Sequence, residues 1–387
     1  MKTDYKVLGD YIQLVDQRNR DLSITNLLGV SIEKRFIPSI ANIVGTDLSG
    51  YKIVRTGQFA YGPVTSRNGE KISIAYLDSD DCIISSSYTV FEVTKKGELD
   101  SEYLMLWFSR PEFDRYARYK SHGSVREIFD WNELCMVELP VPPIEEQRNI
   151  VKAYKTITGR IALKKQINDN LLSQAQTYFG LIFADKDTEK RLPQGWKVAK
   201  VGDYCVDNIA NLSKTDTFES ILYLDTGSIT SNYIVELQEL NLQTDEIPSR
   251  AKRKVAHGDI IYSTVRPNLK HYGLLQNPPD NLIVSTGFAV LHNKETEVTN
   301  DFLFMWLTNE SILDYLQAIA ENSVSTYPSL NVSDLMNIKI IVPDTDTLKK
   351  ITRFLALVFT AISENNKQIQ MLTQSLDTLL PKLLSSR

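Results

Sequence analysis

The chain carries several short runs whose side chains could do chemistry. "NPPD", Asn277 to Asp280, begins like a segment that some methyl-transferring enzymes use to stack a flipped base, but Asp280 stands where the stacking aromatic would be required. It reads as a turn. "AHGDIIYS" brings His257, Asp259 and Ser263 within a few positions of one another, and a glycine turn leading into a strand explains the same letters. His122, His257, His271 and His292 lack the spacing of metal ligands. No phosphate-cradling glycine loop, GxSxG or HExxH motif occurs, and no glycine-rich strand–loop–helix suits a nucleotide cofactor. The sequence offers no catalytic constellation.

It does offer groups suited to holding nucleic acid. "SRAKRKVAHGD" clusters Lys252, Arg253 and Lys254, and "YSTVRPNLKHYG" follows with Arg266, Asn268, Lys270 and Tyr272. An earlier run, "RTGQFAYGPVTSRNGEK", carries Arg55, Gln58, Tyr61, Arg67, Asn68 and Lys71. Two polar loops complete the set: "KSHGSVR" with Lys120, Ser124 and Arg126, and "ENSVSTYPS" with Ser325 and Tyr327. Arginine and asparagine can each make paired hydrogen bonds to guanine or adenine edges, whereas lysine and backbone groups grip phosphates. The net charge of −5 does not oppose this reading, because phosphate contact needs a local basic surface and not a basic total.

These runs sit at matching places in two halves of the chain. "GDY" at Gly9–Tyr11 returns at Gly202–Tyr204, "IISSSYTVFEV" at Ile83–Val93 matches "IVSTGFAVLHN" at Ile283–Asn293, and "EYLMLWF" at Glu102–Phe108 matches "DFLFMWL" at Asp301–Leu307. "GSV" at Gly123–Val125 similarly matches "NSV" at Asn322–Val324. A shared order and an offset near 200 positions indicate duplication. Each half opens with short β-branched and aromatic runs punctuated by Gly, Asn and Asp, followed by amphipathic helices, which predicts an α+β globule.

Each half then closes on a strand, a proline break and a long helix. "VELPVPPIEEQRNIV" (Val137–Val151) and "IKIIVPDTDTLKKIT" (Ile338–Thr352) share this grammar. Pro142 and Pro143 end the strand, and Glu145 and Glu146 suit the exposed N–H groups of a first helical turn, as Asp344 and Asp346 do in the second copy. In the second helix apolar residues recur every three or four positions through Leu348, Ile351, Leu355, Val358, Ile362, Ile369, Leu372, Leu376, Leu379 and Leu383, with Asn365 filling one gap. The first helix has the same phase through Ile150, Tyr154, Ile157, Ile161, Leu171, Ala175, Tyr178 and Ile182, interrupted by Lys164 and Asn168. Two matched seams predict mutual packing. An antiparallel alignment of their midpoints sets Asn168 opposite Asn365, an amide pair that would fix register. A rod of about 36 residues is about 54 Å long at 1.5 Å per residue, and in that arrangement would hold the globules at opposite ends, one and a half DNA turns apart.

The junction "ELPVPPIEEQRNIV", its degenerate copy, "GDIIYSTVRPN…IVSTGFAVL" and the duplicated plan together resemble the specificity subunits of type I restriction–modification systems. The likeness covers nearly the whole chain; "PDTDTLKK" in the second junction departs from "PPIEEQRN" in the first. The resemblance implies two target recognition domains (1–144 and 186–344), each reading half of a split double-stranded DNA site, and two spacer helices (145–185 and 345–387). It implies docking of two modification subunits that bring S-adenosylmethionine, with a pair of restriction subunits using ATP and Mg where cleavage is part of the system. No cofactor would then be bound by this chain. Two alternatives stand beside it: a self-contained DNA methyltransferase, and a coiled-coil adaptor that never touches DNA. Cys82, Cys135 and Cys205 are scattered and odd in number, no stretch approaches the roughly 18 apolar residues of a membrane span, and no signal peptide opens the chain. A cytoplasmic protein without membrane partners is expected.

Overall fold

The computed structural model describes residues 5–39, 45–66, 68–123, 126–184, 192–213, 215–294, 296–323 and 327–384. The chain divides into two compact units, Met1–Ile161 with Met371–Arg387, and Ala162–Gln370.

In the first unit an antiparallel sheet runs in the order Ile12–Val15, Thr89–Val93, Phe59–Tyr61, Ile74–Tyr76. The second unit repeats it as Cys205–Asp207, Phe288–Asn293, Ile260–Ser263, Tyr272–Leu274. The cause is legible in the strands: "FAY", "IIYS" and "FAVLHN" are apolar and β-branched or aromatic runs, and they are almost wholly buried. The accessory layers share a plan. In unit 1 two antiparallel pairs, Leu28–Val30 with Phe36–Pro38 and Lys52–Val54 with Cys82–Ile84, are joined by a parallel bridge from Leu27 to Ile83, whose N–H donates to Asn26 O at 2.8 Å. Unit 2 builds a four-stranded sheet, Gln238–Asn241, Ser220–Leu224, Leu282–Ser285, Ala251–Lys254, whose central pair is parallel.

Each globule is closed by a terminal strand pair, Tyr5–Val7 with Glu138–Pro140 and Lys197–Lys200 with Lys339–Val342. Straight after it comes a 40-residue helix, Ile144–Phe183 or Thr345–Leu384, called here the first and second long helices. Glu145, Glu146 and Asp346 do occupy first turns. Asp344 instead stands before its helix as a cap, accepting from the backbone N–H groups of Asp346 and Thr347 at 3.1 and 3.0 Å.

Each unit takes in both long helices. In unit 1 the start of the first (Ile150, Val151, Tyr154) and the end of the second (Leu380, Leu384) share one core with Phe59, Phe108 and Phe113. In unit 2 the roles exchange: Leu348, Ile351 and Leu355 from the start of the second helix meet Ala175, Phe179 and Phe183 from the end of the first, around Phe302 and Phe304. Leu380 and Leu384 stand 201 positions after Phe179 and Phe183, so both units are stapled at matching helix positions. Each fully buried Leu or Ile contributes about 1.5–3 kcal/mol.

The pairing is antiparallel. Asn365 donates to Asn168 at 2.9 Å, Asn168 donates to Asn366 at 2.8 Å, Lys164 donates to Asn365 at 3.1 Å, and Tyr178 meets Phe354 edge-on at 4.8 Å. Ile157, Ile161 and Leu171 are half-buried, while Val358, Ile362 and Ile369 are buried and Leu372 is half-buried. Two seam residues are exposed: Tyr178 at 37%, and Leu379 at 41%, with Leu380 and Leu384 turning inward in place of Leu379. A straight α-helix drifts about 20° per heptad against a strict 3.5 repeat, so after several heptads the inward face falls one residue later.

Candidate nucleic-acid interface

In both units the strand that follows the sheet core leads into a surface loop, and a second loop crosses back over it. Val64 bridges Ile128 in unit 1, and Val265 bridges Ser329 in unit 2, each 201 positions later. The flanking bonds repeat with the same offset. Thr65 N–H donates to Glu127 O at 2.9 Å as Arg266 N–H does to Pro328 O at 3.0 Å, and Phe129 N–H donates to Pro63 O at 2.8 Å as Leu330 N–H does to Thr264 O at 2.7 Å. Backbone geometry thus joins "TSRNGEK" to "KSHGSVR", and "VRPNLK" to "TYPS". Stretches of the two polar loops that sequence spacing only placed in one half are thus neighbours in each unit, Pro63 to Thr65 beside Glu127 to Phe129 and Thr264 to Arg266 beside Pro328 to Leu330.

The unit 2 loop is held in an unusual conformation. Arg266 and Lys270 both have positive φ, 49° and 55°, on either side of a single helical turn at Pro267–Leu269. Non-glycine residues rarely adopt this region, and where they do the surrounding structure over-determines them. Here the constraints are explicit. Asn268 N–H donates to Gln317 at 3.1 Å, Lys270 binds Glu310 at 2.7 Å, and the Arg266 guanidinium lies over the Tyr327 ring at 4.9 Å. Glu310 raises the Lys270 pKa. Arg266, Asn268 and Tyr327 are exposed, so a pre-positioned guanidinium, an amide and an aromatic face solvent together. Beside them the hairpin Thr230–Tyr233 turns through Ser231 and Asn232, both at positive φ, and Tyr233 receives Lys165 of the first long helix at 4.3 Å.

In unit 1 the position equivalent to Arg266 is Thr65, which is buried and bonds Ser121 at 2.9 Å. Asn68 is half-buried, Arg126 is exposed, and Lys71 pairs loosely with Glu33 at 3.2 Å. Lys120 lies 3.5 Å from Glu133. Gly123 permits the crossing loop: its φ is 133°, and a Cβ there would collide with the Arg126 carbonyl oxygen. Arg67, Ser124 and Ser325 lie outside the described residues.

Several residues expected at the DNA surface are internal. Tyr61 is fully buried in the sheet core, because the alternation of "FAY" directs it toward Phe91 and Phe129. Tyr272 is buried and stacks on Tyr262 at 5.5 Å. Gln58 is 8% exposed and is spent on Glu92 (2.9 Å) and the Arg55 N–H (2.8 Å). Arg55 is half-buried against Asp81 at 2.6 Å. Arg253 turns inward to Asn208 and the Phe288 carbonyl, and Lys254 pairs with Asp216, so Lys252 alone of that trio is exposed.

The discounted constellations remain apart. Asp259 faces His292 at 2.7 Å, Ser263 donates to the Val265 carbonyl at 2.9 Å, and His257 accepts from Asn277 N–H at 3.1 Å. The three cysteines are free, and burial pushes the Cys82 and Cys205 thiols up to about 12. No group of three metal-ligating side chains occurs among the described residues, and among them no helix is long and apolar enough to cross a membrane.

One residue that matters was not singled out from the sequence. Gln147, of the "IEEQ" run, is completely buried. It accepts from Asp100 N–H at 2.9 Å and donates to the carbonyls of Glu98 and Pro142, both at 2.7 Å. It ties the start of the first long helix to the globule beneath. Its counterpart, Leu348, is an ordinary core residue.

The family described as "Type I restriction modification DNA specificity domain" matches residues 46–173 and 193–374. The HindI specificity subunit of Haemophilus influenzae is 28% identical over 46% of this chain, a match that spans only 38% of that relative. The MjaIX specificity subunit of Methanocaldococcus jannaschii is 26% identical over 76% of this chain and 70% of its own length. The crystal structure of a type I restriction–modification S subunit from M. genitalium superposes with a TM-score of 0.56 at 15% identity, covering 99% of this chain and 96% of that one.

Proposed function

Given that the chain belongs to the family of type I restriction–modification DNA specificity proteins, we propose that it reads a two-part duplex DNA target through the two crossed-loop surfaces, one per unit, and contributes no catalysis of its own. The observation that carries the reading is the repeated bridge, Val64 to Ile128 and Val265 to Ser329, which sets a loop pair of different chemistry on each copy of one scaffold. Unit 2 presents Arg266 on Tyr327 with Asn268 beside it, and unit 1 presents Asn68, Lys71 and Arg126. Different loops on one frame are what two unlike half-sites require. An arginine whose planar fork is held on an aromatic face loses little freedom on meeting the O6 and N7 of guanine, and such a pair discriminates by about 1–3 kcal/mol. Lys71, Lys252 and Arg126 suit phosphate contacts, which position the protein without reading sequence.

The partners in this reading are duplex DNA and two modification subunits, with restriction subunits added in a cleaving complex. S-adenosylmethionine would sit in the modification subunit, and ATP and Mg in the restriction subunit; the protein would act in the cytoplasm. The test is co-expression with the cognate modification subunit, followed by sequencing of methylated adenines. An interrupted motif supports the proposal. A purified chain that transfers methyl groups by itself would overturn it in favour of a self-contained enzyme, and absence of salt-dependent duplex binding would favour an adaptor.

A further inference from the structure

In each unit a cleft lies where the "EYLMLWF" or "DFLFMWL" helix meets the start of a long helix, and three lining positions correspond: Asp100 with Thr299, Glu102 with Asp301 and Lys155 with Ala356. In unit 1 the cleft is about 420 Å³, and Glu102 crosses it to Lys155 at 2.5 Å. In unit 2 the cleft is about 580 Å³ and is lined by His257, Asn277, Thr299, Asp301, Ala356 and Thr360, among others. Asp301 is the counterpart of Glu102, but the position of Lys155 is occupied by Ala356. The carboxylate therefore faces a larger opening with no cation of its own helix pair to meet it. Asp301 makes no hydrogen bond or ion pair with any described residue, and the titratable group nearest it is His257, whose Nδ1 accepts the Asn277 N–H. Thr299, which replaces the capping Asp100 of unit 1, has a buried hydroxyl without a partner at the same place.

We propose that the unit 2 cleft receives a lysine or arginine side chain of the modification subunit, which stands where Lys155 stands in unit 1. The proposal rests on the functional reading above. An incoming cation finds an acid, a free hydroxyl acceptor and enough volume for a long side chain. In unit 1 the same partner residue would find Glu102 already paired. Burial lifts the Asp301 carboxyl to about 6, against the opposing pull of His257, so above that pH the group is an anion awaiting a counter-charge.

The test compares the intact chain with Asp301→Asn and Glu102→Gln, measuring affinity for the purified modification subunit at pH 7.5. Asp301→Asn keeps the shape and removes the charge, and is expected to weaken assembly at least tenfold; Glu102→Gln is expected to change it less than twofold. Ala356→Lys should supply the missing cation internally and weaken assembly as Asp301→Asn does. Thermal unfolding of each variant shows whether it has folded, and Asp301→Asn should be no less stable than the intact chain. Assembly of Asp301→Asn within twofold of the intact chain, or equal losses for Asp301→Asn and Glu102→Gln, would overturn the inference. Failure of the intact chain itself to bind any modification subunit would overturn the functional reading beneath it.

Discussion

Gln147 offers a sharp test of how a globule is fastened to its helix. Its side chain is wholly buried and makes three hydrogen bonds of 2.7–2.9 Å, to Asp100 N–H, Glu98 O and Pro142 O. Replacing it with alanine leaves a donor and two acceptors without that partner in a site closed to water. At about 0.5–1.5 kcal/mol per bond, the loss is about 3 kcal/mol. Local opening of unit 1 then becomes easier by about two powers of ten, and amide exchange in the Thr89–Val93 and Phe59–Tyr61 strands should accelerate accordingly under native conditions. Unit 2 strands such as Ile260–Ser263 should keep their protection. Leu348→Ala, at the matching position, should do the converse: it removes an apolar contact at about 2–5 kcal/mol and loosens unit 2. A change of less than about fivefold in unit 1 exchange, or equal acceleration in both units, would refute the clamp.

Three further outcomes follow from the same geometry. Asn365→Leu removes the donor to Asn168 Oδ1 and the acceptor of Lys164, leaving the Asn168 to Asn366 bond, and should destabilise unit 2 by about 1–3 kcal/mol; a double-mutant cycle with Asn168→Leu should yield a coupling of about 0.5–1.5 kcal/mol by denaturant titration. Asp301 in the folded chain titrates near 6 and not at 3.8, so the native state holds more protons between those values; stability falls as pH rises through this window, and the penalty is complete above it. Asp301→Asn should therefore raise stability at pH 7.5 by at most about 3 kcal/mol and change nothing below about pH 3.5, as read by thermal unfolding across pH. Gly123→Ala should disturb the crossing loop of unit 1 and lower DNA affinity, while amide exchange in the unit 2 core stays as it was.

The seams, the proline-broken junctions and the amide facing of Asn168 and Asn365 could be read from the sequence because they depend on local periodicity and on proline's missing N–H. The site was harder. Tyr61 and Tyr272 are polar-tipped aromatics near glycines, which looks like a binding surface, but the two-residue period of their strands points them inward, and that period was the better signal. Arg253 and Lys254 form a basic run in one dimension; as consecutive strand residues they point to opposite faces, Arg253 to Asn208 and Lys254 to Asp216. Gln147 and Asp301 depend on contacts between segments 40 or more positions apart, for which single-sequence spacing carries no signal. Ala356 became informative only when duplication was applied residue by residue, because the absence of a lysine is visible only against the copy that has one.

In the proposed function each crossed-loop surface reads its own part of the target. The most direct test is the methylated-adenine map of cells expressing a cognate modification subunit with either the intact chain or Arg266→Ala. The account predicts an interrupted motif for the intact chain, and for Arg266→Ala a relaxation or weakening confined to one element, by about 1–3 kcal/mol of discrimination at one base pair. A continuous motif, or equal loss at both elements, would contradict it.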